Sequence, residues 1–180
     1  MILLDPDLDP DPPPSPISAK PPAGSVSTRQ LRLPTPRTLA RFLAQAQAAV
    51  RLRGQVTVLL TTDSSIRSLN RRFRGIDKTT DVLSFLSAEN LLQNAEPAER
   101  VVGDIAISVP TARRQGTACG HSLGTELKVL MLHGLLHLAG YDHEADSGQM
   151  HRRERQLRAR LGLPQGLIER AGSETKAGKP

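Results

Sequence analysis

The chain has 180 residues, a formal net charge of +6 and only four aromatic side chains. Its apolar runs are too short to span a membrane, and its first residues lack the basic and apolar stretches of a secretory signal. The single cysteine, Cys119, excludes an intramolecular disulfide framework and a cysteine-based zinc finger. We therefore expect a cytoplasmic protein, kept in a reducing compartment and without a membrane partner.

The two ends of the chain differ in composition from its middle. Residues 5–28 hold eight of the fourteen prolines, and such a segment buries too little apolar surface to fold. We expect a disordered tail over residues 1–28, one domain over residues 29–168 and a flexible tail over residues 169–180. Residues 29–180 carry 23 basic and 14 acidic side chains, an excess that indicates an anionic partner, most often nucleic acid. The shortage of aromatic residues argues against recognition by base stacking.

Between the tails, helical and strand-like apolar spacings follow one another. Thr35 before Pro36 is typical of a helix start, and Gly54 should end that helix. A strand over Gln55–Leu60 follows, and then a helix capped by Asp63 or Ser64 with Ile66, Leu69 and Phe73 inward. Two more strands are predicted over Val82–Leu86 and Val101–Val109, the second with a bulge at Gly103. The last predicted elements are a helix from Pro110 to Arg114, an apolar helix over Thr125–Leu138 and a basic helix over Gly148–Leu161. This order predicts an α+β fold in which helices pack on a small mixed β-sheet.

Three of the five histidines fall within eleven residues. His133 and His137 are one helical turn apart, so both imidazoles leave the same face of the apolar helix. Gly140 can end that helix in a left-handed conformation, and the chain can then bring His143 back to the same point. Three imidazoles leave a fourth tetrahedral position open, which predicts a catalytic zinc site with one Zn²⁺ per chain. Imidazoles also suit nickel, copper and iron.

The spacing of these histidines is also that of the metzincin peptidases. Those enzymes carry a glutamate general base directly after the first histidine, and Gly134 occupies that position here. A peptidase without the carboxylate lacks the group that deprotonates the attacking water. A metallopeptidase is therefore the least favoured of the candidate functions.

The segment from His133 to His143, HGLLHLAGYDH, resembles the signature HGxLHLxGYDH of the YbeY/UPF0054 endoribonuclease family, the rRNA maturation factors. Residues 69–86 resemble a second family block, LNxxYRGxDKPTDVLSFP, and residues 103–108 resemble a third, GDIxIS. The three blocks occur in family order, and the resemblance covers residues 26–163. The chain departs from the second block at Phe73, Thr79 and Leu86, where the family usually has Tyr, Pro and Pro.

The resemblance implies a zinc-dependent, single-strand-specific endoribonuclease that matures the 3′ end of 16S rRNA and acts in ribosome biogenesis and ribosome quality control. It also implies small-subunit ribosomal proteins and a ribosome-assembly GTPase as partners. A non-catalytic assembly factor with a structural metal is the alternative. An open three-histidine site favours the enzyme, because structural zinc sites usually close with four protein ligands.

Arg74 matches the arginine of the second block, and the resemblance implies that this arginine is functionally important. A guanidinium offers a permanent charge and paired donors to a phosphate. A structural ion pair with Asp77 or Asp81 is the alternative. We therefore predict Arg74 and His133 as catalytic residues, and the metal ligands as His133, His137 and His143.

Other residues are weaker candidates. Glu126 lies two helical turns before His133, where its carboxylate can accept from an imidazole or favour the helix N-terminus. Asp142 can bond an imidazole or cap the turn, and His121 is expected at the surface. Arginines that can follow an RNA backbone, or form a solvated face instead, are Arg71, Arg72, Arg113, Arg114, Arg152, Arg153 and Arg155, with Arg158 and Arg160 further along the last helix.

Overall fold

Five helices and a four-stranded sheet make up the part of the chain that the structure describes. The computed structural model describes residues 1–8, 32–87, 100–143 and 146–164. Its elements are β1 (Ile2–Leu4), α1 (Pro36–Val50), β2 (Gln55–Thr61), α2 (Asp63–Arg74), β3 (Val82–Leu86), β4 (Val101–Ser108), α3 (Val109–Ala118), α4 (Leu123–Leu138) and α5 (Gln149–Leu161). The predicted fold class, a small mixed sheet packed with helices, is confirmed.

The sheet has the strand order β1-β2-β4-β3. β1 and β4 both run parallel to β2, so that Val58 lies opposite Ile2 on one side and Ile105 on the other. β3 runs antiparallel to β4 at the edge. The register shifts at the start of β2, next to Gly103. Gly103 has φ +156°, and a Cβ there would collide with the β3 backbone, so the predicted bulge is confirmed.

The first residues of the chain belong to the sheet. Ile2–Leu4 pair with β2, the Asp5 backbone N–H donates to the Leu60 carbonyl over 2.9 Å, and the Thr61 hydroxyl donates to the Asp5 carboxylate. Three apolar residues are too few to reveal a strand by periodicity, because its partner lies more than fifty residues away. The predicted disorder is therefore wrong for residues 1–8. The rest of the predicted N-terminal tail and the predicted C-terminal tail lie outside the described residues.

The apolar core lies between the sheet and the helices α1 and α4. Val58 and Leu60 of β2 and Ile105 and Ile107 of β4 are fully buried. α4 contacts α1, α3, α5 and the strands β3 and β4, and twelve of its sixteen residues are buried. A helix that is apolar on nearly all sides is held by its neighbours, so polar side chains on α4 have fixed surroundings.

Four local expectations differ from the structure. α1 ends at Val50, where Arg51 takes the left-handed conformation with φ +67°, and not at the predicted Gly54. The hydroxyl of Thr62 caps α2 one or two residues before the predicted cap, and that of Ser122 caps α4 three residues before the predicted helix start at Thr125, because a Ser or Thr side chain accepts well from the N–H three residues on. α3 continues beyond the predicted end to Ala118. Phe73, predicted to face inward, is 57% exposed and its ring lies 5.0 Å from that of Phe85. None of the described helices is long and apolar enough to cross a membrane.

Candidate metal centre

The three predicted metal ligands converge at the end of α4. His133 is buried, His137 half-buried and His143 exposed. The Nε2 atoms of His133 and His137 are 3.1 Å apart, and one nitrogen from each of the three rings lies within 4.8 Å of the other two. The helical spacing thus brings the first two imidazoles together, as predicted, and the following turn adds the third.

The turn after α4 is what returns His143 to the helix. Gly140 has φ +88°, its N–H donates to the His137 carbonyl over 2.9 Å, and the Tyr141 N–H donates to the Leu136 carbonyl over 3.0 Å. These two bonds form a Schellman motif, which requires a left-handed residue and favours glycine. The predicted helix stop at Gly140 is confirmed.

The donor set suits a metal ion. Nitrogens bound tetrahedrally at about 2.0–2.1 Å lie about 3.4 Å from one another, within the range that these three nitrogens span. Burial, and then the charges that His133 and His143 would carry, lower the pKa of His137 to about 4, with Asp142 and the Tyr141 backbone opposing the shift. His137 is therefore neutral at pH 7, which is the form that binds a metal. Three imidazoles fit zinc, and also nickel, copper or iron.

Arg74 and the three histidines line the same cavity, which has a volume of about 650 Å³. Within the described ranges Arg74 has no ion-pair partner. Asp77 is bound by Arg67 through two bonds of 2.7 and 2.8 Å, and Asp81 accepts from Gln115 Nε2 over 3.1 Å. The predicted alternative, a structural pair of Arg74 with one of these aspartates, is therefore not what the structure shows. The remaining wall is formed by Thr80, Asp81, Val82, Leu83, Ser84, Leu86, Leu138, Gly140, Tyr141 and Asp142.

Gly134, where a metzincin has its general base, faces the sheet. A Cβ at Gly134 would lie 2.9 Å from two side-chain atoms of Ile105 and 3.0 Å from Ser84 Oγ. A glutamate does not fit between α4 and these strands. The close packing of the helix explains the glycine and excludes a peptidase-type base at this position.

A buried glutamate that the sequence analysis missed lies behind the first ligand. Glu154 Oε2 of α5 is 3.6 Å from His133 Nδ1, and Glu154 also forms a buried ion pair with Arg158. Burial alone would raise the pKa of the Glu154 carboxyl, but His133 and Arg158 outweigh it and hold the pKa below its usual value. A signal existed in the sequence, since Met150, Glu154, Leu157 and Arg158 follow the helical spacing of a buried face.

Comparison with known proteins assigns the chain to a family. The model of a family described as Endoribonuclease YbeY matches residues 23–162. The chain belongs to the YbeY endoribonuclease family. An Endoribonuclease YbeY of Koribacter versatilis is 48% identical over 139 residues, which cover 77% of this chain and 86% of the relative. One of Solibacter usitatus is 43% identical over 159 residues, which cover 86% of this chain and 99% of the relative.

The family predicted from HGLLHLAGYDH and its two companion blocks is thus confirmed. A solution structure of a Thermotoga maritima protein is 25% identical to this YbeY-family chain, with a TM-score of 0.49, and the similarity covers 83% of this chain and 95% of that one. The assignment rests on the sequence matches.

Glu126 and Asp142, two further candidate site residues of this YbeY-family chain, have different surroundings. Glu126 is fully buried, and its carboxylate bonds His121. The side chain of His121 was expected at the surface, but it is only 14% exposed. Seven helical residues separate Glu126 from His133 by about 10 Å along the axis, so Glu126 does not support that ligand. Asp142 is exposed on the cavity wall, and its backbone carbonyl accepts from the Asp146 N–H over 2.8 Å.

The arginines predicted to follow an RNA backbone divide into two groups. Arg114 pairs with Asp63 at 2.9 Å, Arg153 donates to the Ala49 carbonyl over 3.3 Å, and Arg158 is buried. These three have structural partners, and the exposed Arg152 also donates to the Ser147 carbonyl over 3.2 Å. The side chains that are exposed on α2 and α5 are Arg71, Arg72, Arg152, Arg155 and Arg160, and Arg113 is half-buried on α3.

Proposed function

We propose that this chain is a metal-dependent endoribonuclease that cleaves single-stranded RNA, with Zn²⁺ as its metal. The observation that carries the proposal is that three imidazoles and Arg74 line one cavity. Arg74 has no ion-pair partner in the described chain. Proteins named Endoribonuclease YbeY that are 43–48% identical to the chain support RNA as the substrate. A hydrolytic metal site and a phosphate-binding cation are the two groups that such a reaction needs.

His133, His137 and His143 would hold the metal. When bound, the metal polarises a phosphoryl oxygen and provides an activated water. The three rings come from one rigid helix and the turn that ends it, so their relative positions are set before any ligand arrives. His133 is the most buried of the three ligands. We propose it as catalytic together with Arg74.

Arg74 would bind and orient the scissile phosphate. Arg74 lies at the end of α2 and lines the cavity together with residues of α4, and the structure shows no ion pair of Arg74 with Asp77 or Asp81 in the described chain. A phosphate that enters between Arg74 and the histidines would meet paired N–H donors on one side. The exposed residues Arg71, Arg72, Arg152 and Arg155 would attract the rest of the RNA through its backbone charge.

The biological setting is proposed from the family resemblance. It includes maturation of the 3′ end of 16S rRNA, ribosome biogenesis and quality control in the cytoplasm, with small-subunit ribosomal proteins and an assembly GTPase as partners. The alternative is an assembly factor whose metal is structural. The exposed third histidine favours the enzyme, because a structural metal is usually enclosed by four protein ligands.

A cleavage assay on purified protein tests the proposal. Single-stranded RNA is incubated with the wild type, His133→Ala, Arg74→Glu and a charge-matched control, Arg37→Glu, on the exposed side of α1. We expect His133→Ala to lose both metal and cleavage, Arg74→Glu to keep the metal but lose cleavage, and Arg37→Glu to behave as the wild type. Metal content is measured by mass spectrometry on the same samples.

The outcomes separate the candidate functions. Cleavage that persists unchanged in His133→Ala and Arg74→Glu would identify a contaminating nuclease and favour the non-catalytic assembly factor. Peptide hydrolysis that disappears in His133→Ala would favour the metallopeptidase. Equal cleavage of single-stranded and duplex RNA would contradict the proposed substrate class.

A further inference from the structure

A buried ion pair on α5 lies directly behind His133. Glu154 is 1% exposed and Arg158 is 2% exposed. Arg158 donates to Glu154 Oε1 from Nε over 3.1 Å and from Nη2 over 2.7 Å. Its Nη1 donates to the Pro164 carbonyl over 2.8 Å. The guanidinium is thus held from two sides, and it binds one oxygen of the carboxylate.

The other oxygen of Glu154 faces the imidazole of His133. Oε2 lies 3.6 Å from His133 Nδ1, and neither atom has a hydrogen-bond partner among the described residues. The separation exceeds a normal hydrogen bond by a few tenths of an ångström. A buried polar atom without a partner is unfavourable. A proton on Nδ1 and a small approach of the two side chains would give each atom the partner that it lacks.

The protonation of Nδ1 decides what the opposite nitrogen can do. A neutral imidazole has one N–H and one lone pair. With the proton on Nδ1, the lone pair of His133 lies on Nε2, the atom that is 3.1 Å from His137 Nε2. A carboxylate behind a ligand histidine commonly fixes its tautomer and orientation in this way.

Stability alone does not account for the ion pair. Burying two charges is expensive, and well-packed apolar residues are often as stable in their place. The other side chains on the buried face of α5 include the apolar Met150 and Leu157. Glu154 and Arg158 interrupt that apolar face at the position where α5 meets His133.

We propose that Glu154 is a positioning residue of the metal centre. Its carboxylate accepts the Nδ1–H of His133 and so presents Nε2 to the metal, while Arg158 holds the carboxylate in place. This inference rests on the proposed three-histidine metal site. It gives α5 two functions, because the buried side of the helix supports a ligand while its exposed side carries arginines toward RNA.

The tautomer of His133 tests this inference in metal-free protein. Nitrogen-15 spectra that correlate ring nitrogens with ring protons distinguish the two tautomers. We expect the Nδ1–H tautomer in the wild type. In Glu154→Gln the amide oxygen remains with Arg158 and the amide NH₂ faces the ring, so the proton of His133 should move to Nε2. An Nε2–H tautomer in the wild type, or no change in the variant, would overturn the inference.

Metal affinity provides a second measurement. Zn²⁺ is titrated into metal-free protein in competition with a chromophoric chelator. We expect Glu154→Gln to bind zinc about 10–100-fold more weakly than the wild type, and Arg158→Gln to show a smaller loss. The matched control is Glu126→Gln, which alters another buried glutamate that bonds a histidine, and its zinc affinity should equal that of the wild type.

The results distinguish this inference from the proposed function. Equal zinc affinities of the wild type and Glu154→Gln would contradict the positioning role and leave the proposed enzyme intact. A wild type that binds no zinc would contradict the proposed function, and the tautomer of His133 would still decide the role of Glu154. The wild-type spectrum needs no variant, so the test holds even where Glu154→Gln does not fold.

Discussion

The two ends of α4 bury the same chemical pair in different surroundings. At the N-terminal end the carboxylate of Glu126 bonds His121, and at the C-terminal end the carboxylate of Glu154 faces His133. Both glutamates are at most 1% exposed. The second pair adjoins two further imidazoles and a cavity.

The two pairs differ in what the second nitrogen of each imidazole faces. The pair at the N-terminal end ties the loop before α4 to the helix. At the C-terminal end Glu154 faces Nδ1 of His133. The other ring nitrogen of His133, Nε2, faces the imidazole of His137. Proximity of Glu to His is therefore not a sufficient sign of a metal site, and the second nitrogen of the ring decides.

Removal of a ligand should produce the largest difference between the two ends. His137→Ala takes away one of three imidazoles, and we expect its zinc affinity to fall by more than about 100-fold, beyond the effect of residues that only support ligands. His121→Gln at the other end keeps a donor for Glu126 and should retain full zinc affinity. Chelator competition on both proteins measures this, and a loss of zinc in His121→Gln would remove the distinction between the ends.

The two glycines of α4 should respond unequally to a methyl group. Gly134→Ala would push a Cβ against Ile105 in the central strand β4, an overpacking worth about 1–3 kcal/mol, against about 1 kcal/mol gained in helix propensity. In Gly124→Ala the contact is with Pro34, which lies in a loop outside the sheet. We expect a lower free energy of unfolding in urea for Gly134→Ala, and a similar or higher one for Gly124→Ala.

The two caps of α4 should show effects on stability that are no larger than those at the glycines, and the two caps should differ in their effect on zinc affinity. Ser122→Ala removes the acceptor of the Thr125 N–H, at about 1 kcal/mol of stability. Gly140→Ala places an alanine at φ +88°, at about 1–2 kcal/mol. Thermal unfolding should register both changes. Zinc affinity should fall only in Gly140→Ala, because that turn positions His143, and an equal fall in Ser122→Ala would contradict the independence of the two ends.

The parts of the site that the sequence predicted are those with local geometry. His133 and His137 are related by one helical turn, and His143 by a turn that Gly140 permits, so the spacing alone brought the three rings together. Arg74 was placed by its family block, because nothing local shows that α2 ends beside α4. The mixed sheet followed from the order of the elements.

The parts that the sequence analysis missed depend on how the helices pack. Glu126 was expected near His133 because the two share one helical face, but the seven residues between these positions correspond to about 10 Å along the axis. Glu154 is 21 residues from His133 in a helix dominated by arginine, and only the packing of α5 against α4 brings the two together. The same packing buries Arg158, which composition alone had placed among the RNA-binding residues.

The pairing of β1 with β2 has a practical consequence for any shortened form of the protein. The family match begins at residue 23, and a fragment cut there would lose the strand Ile2–Leu4. The outer side of β2 would then present a bare row of N–H and C=O groups next to buried valines and leucines. An uncovered edge of this kind pairs with strands from other molecules, so a fragment chosen by family boundaries would be prone to aggregate. In the full chain β1 covers this edge of β2.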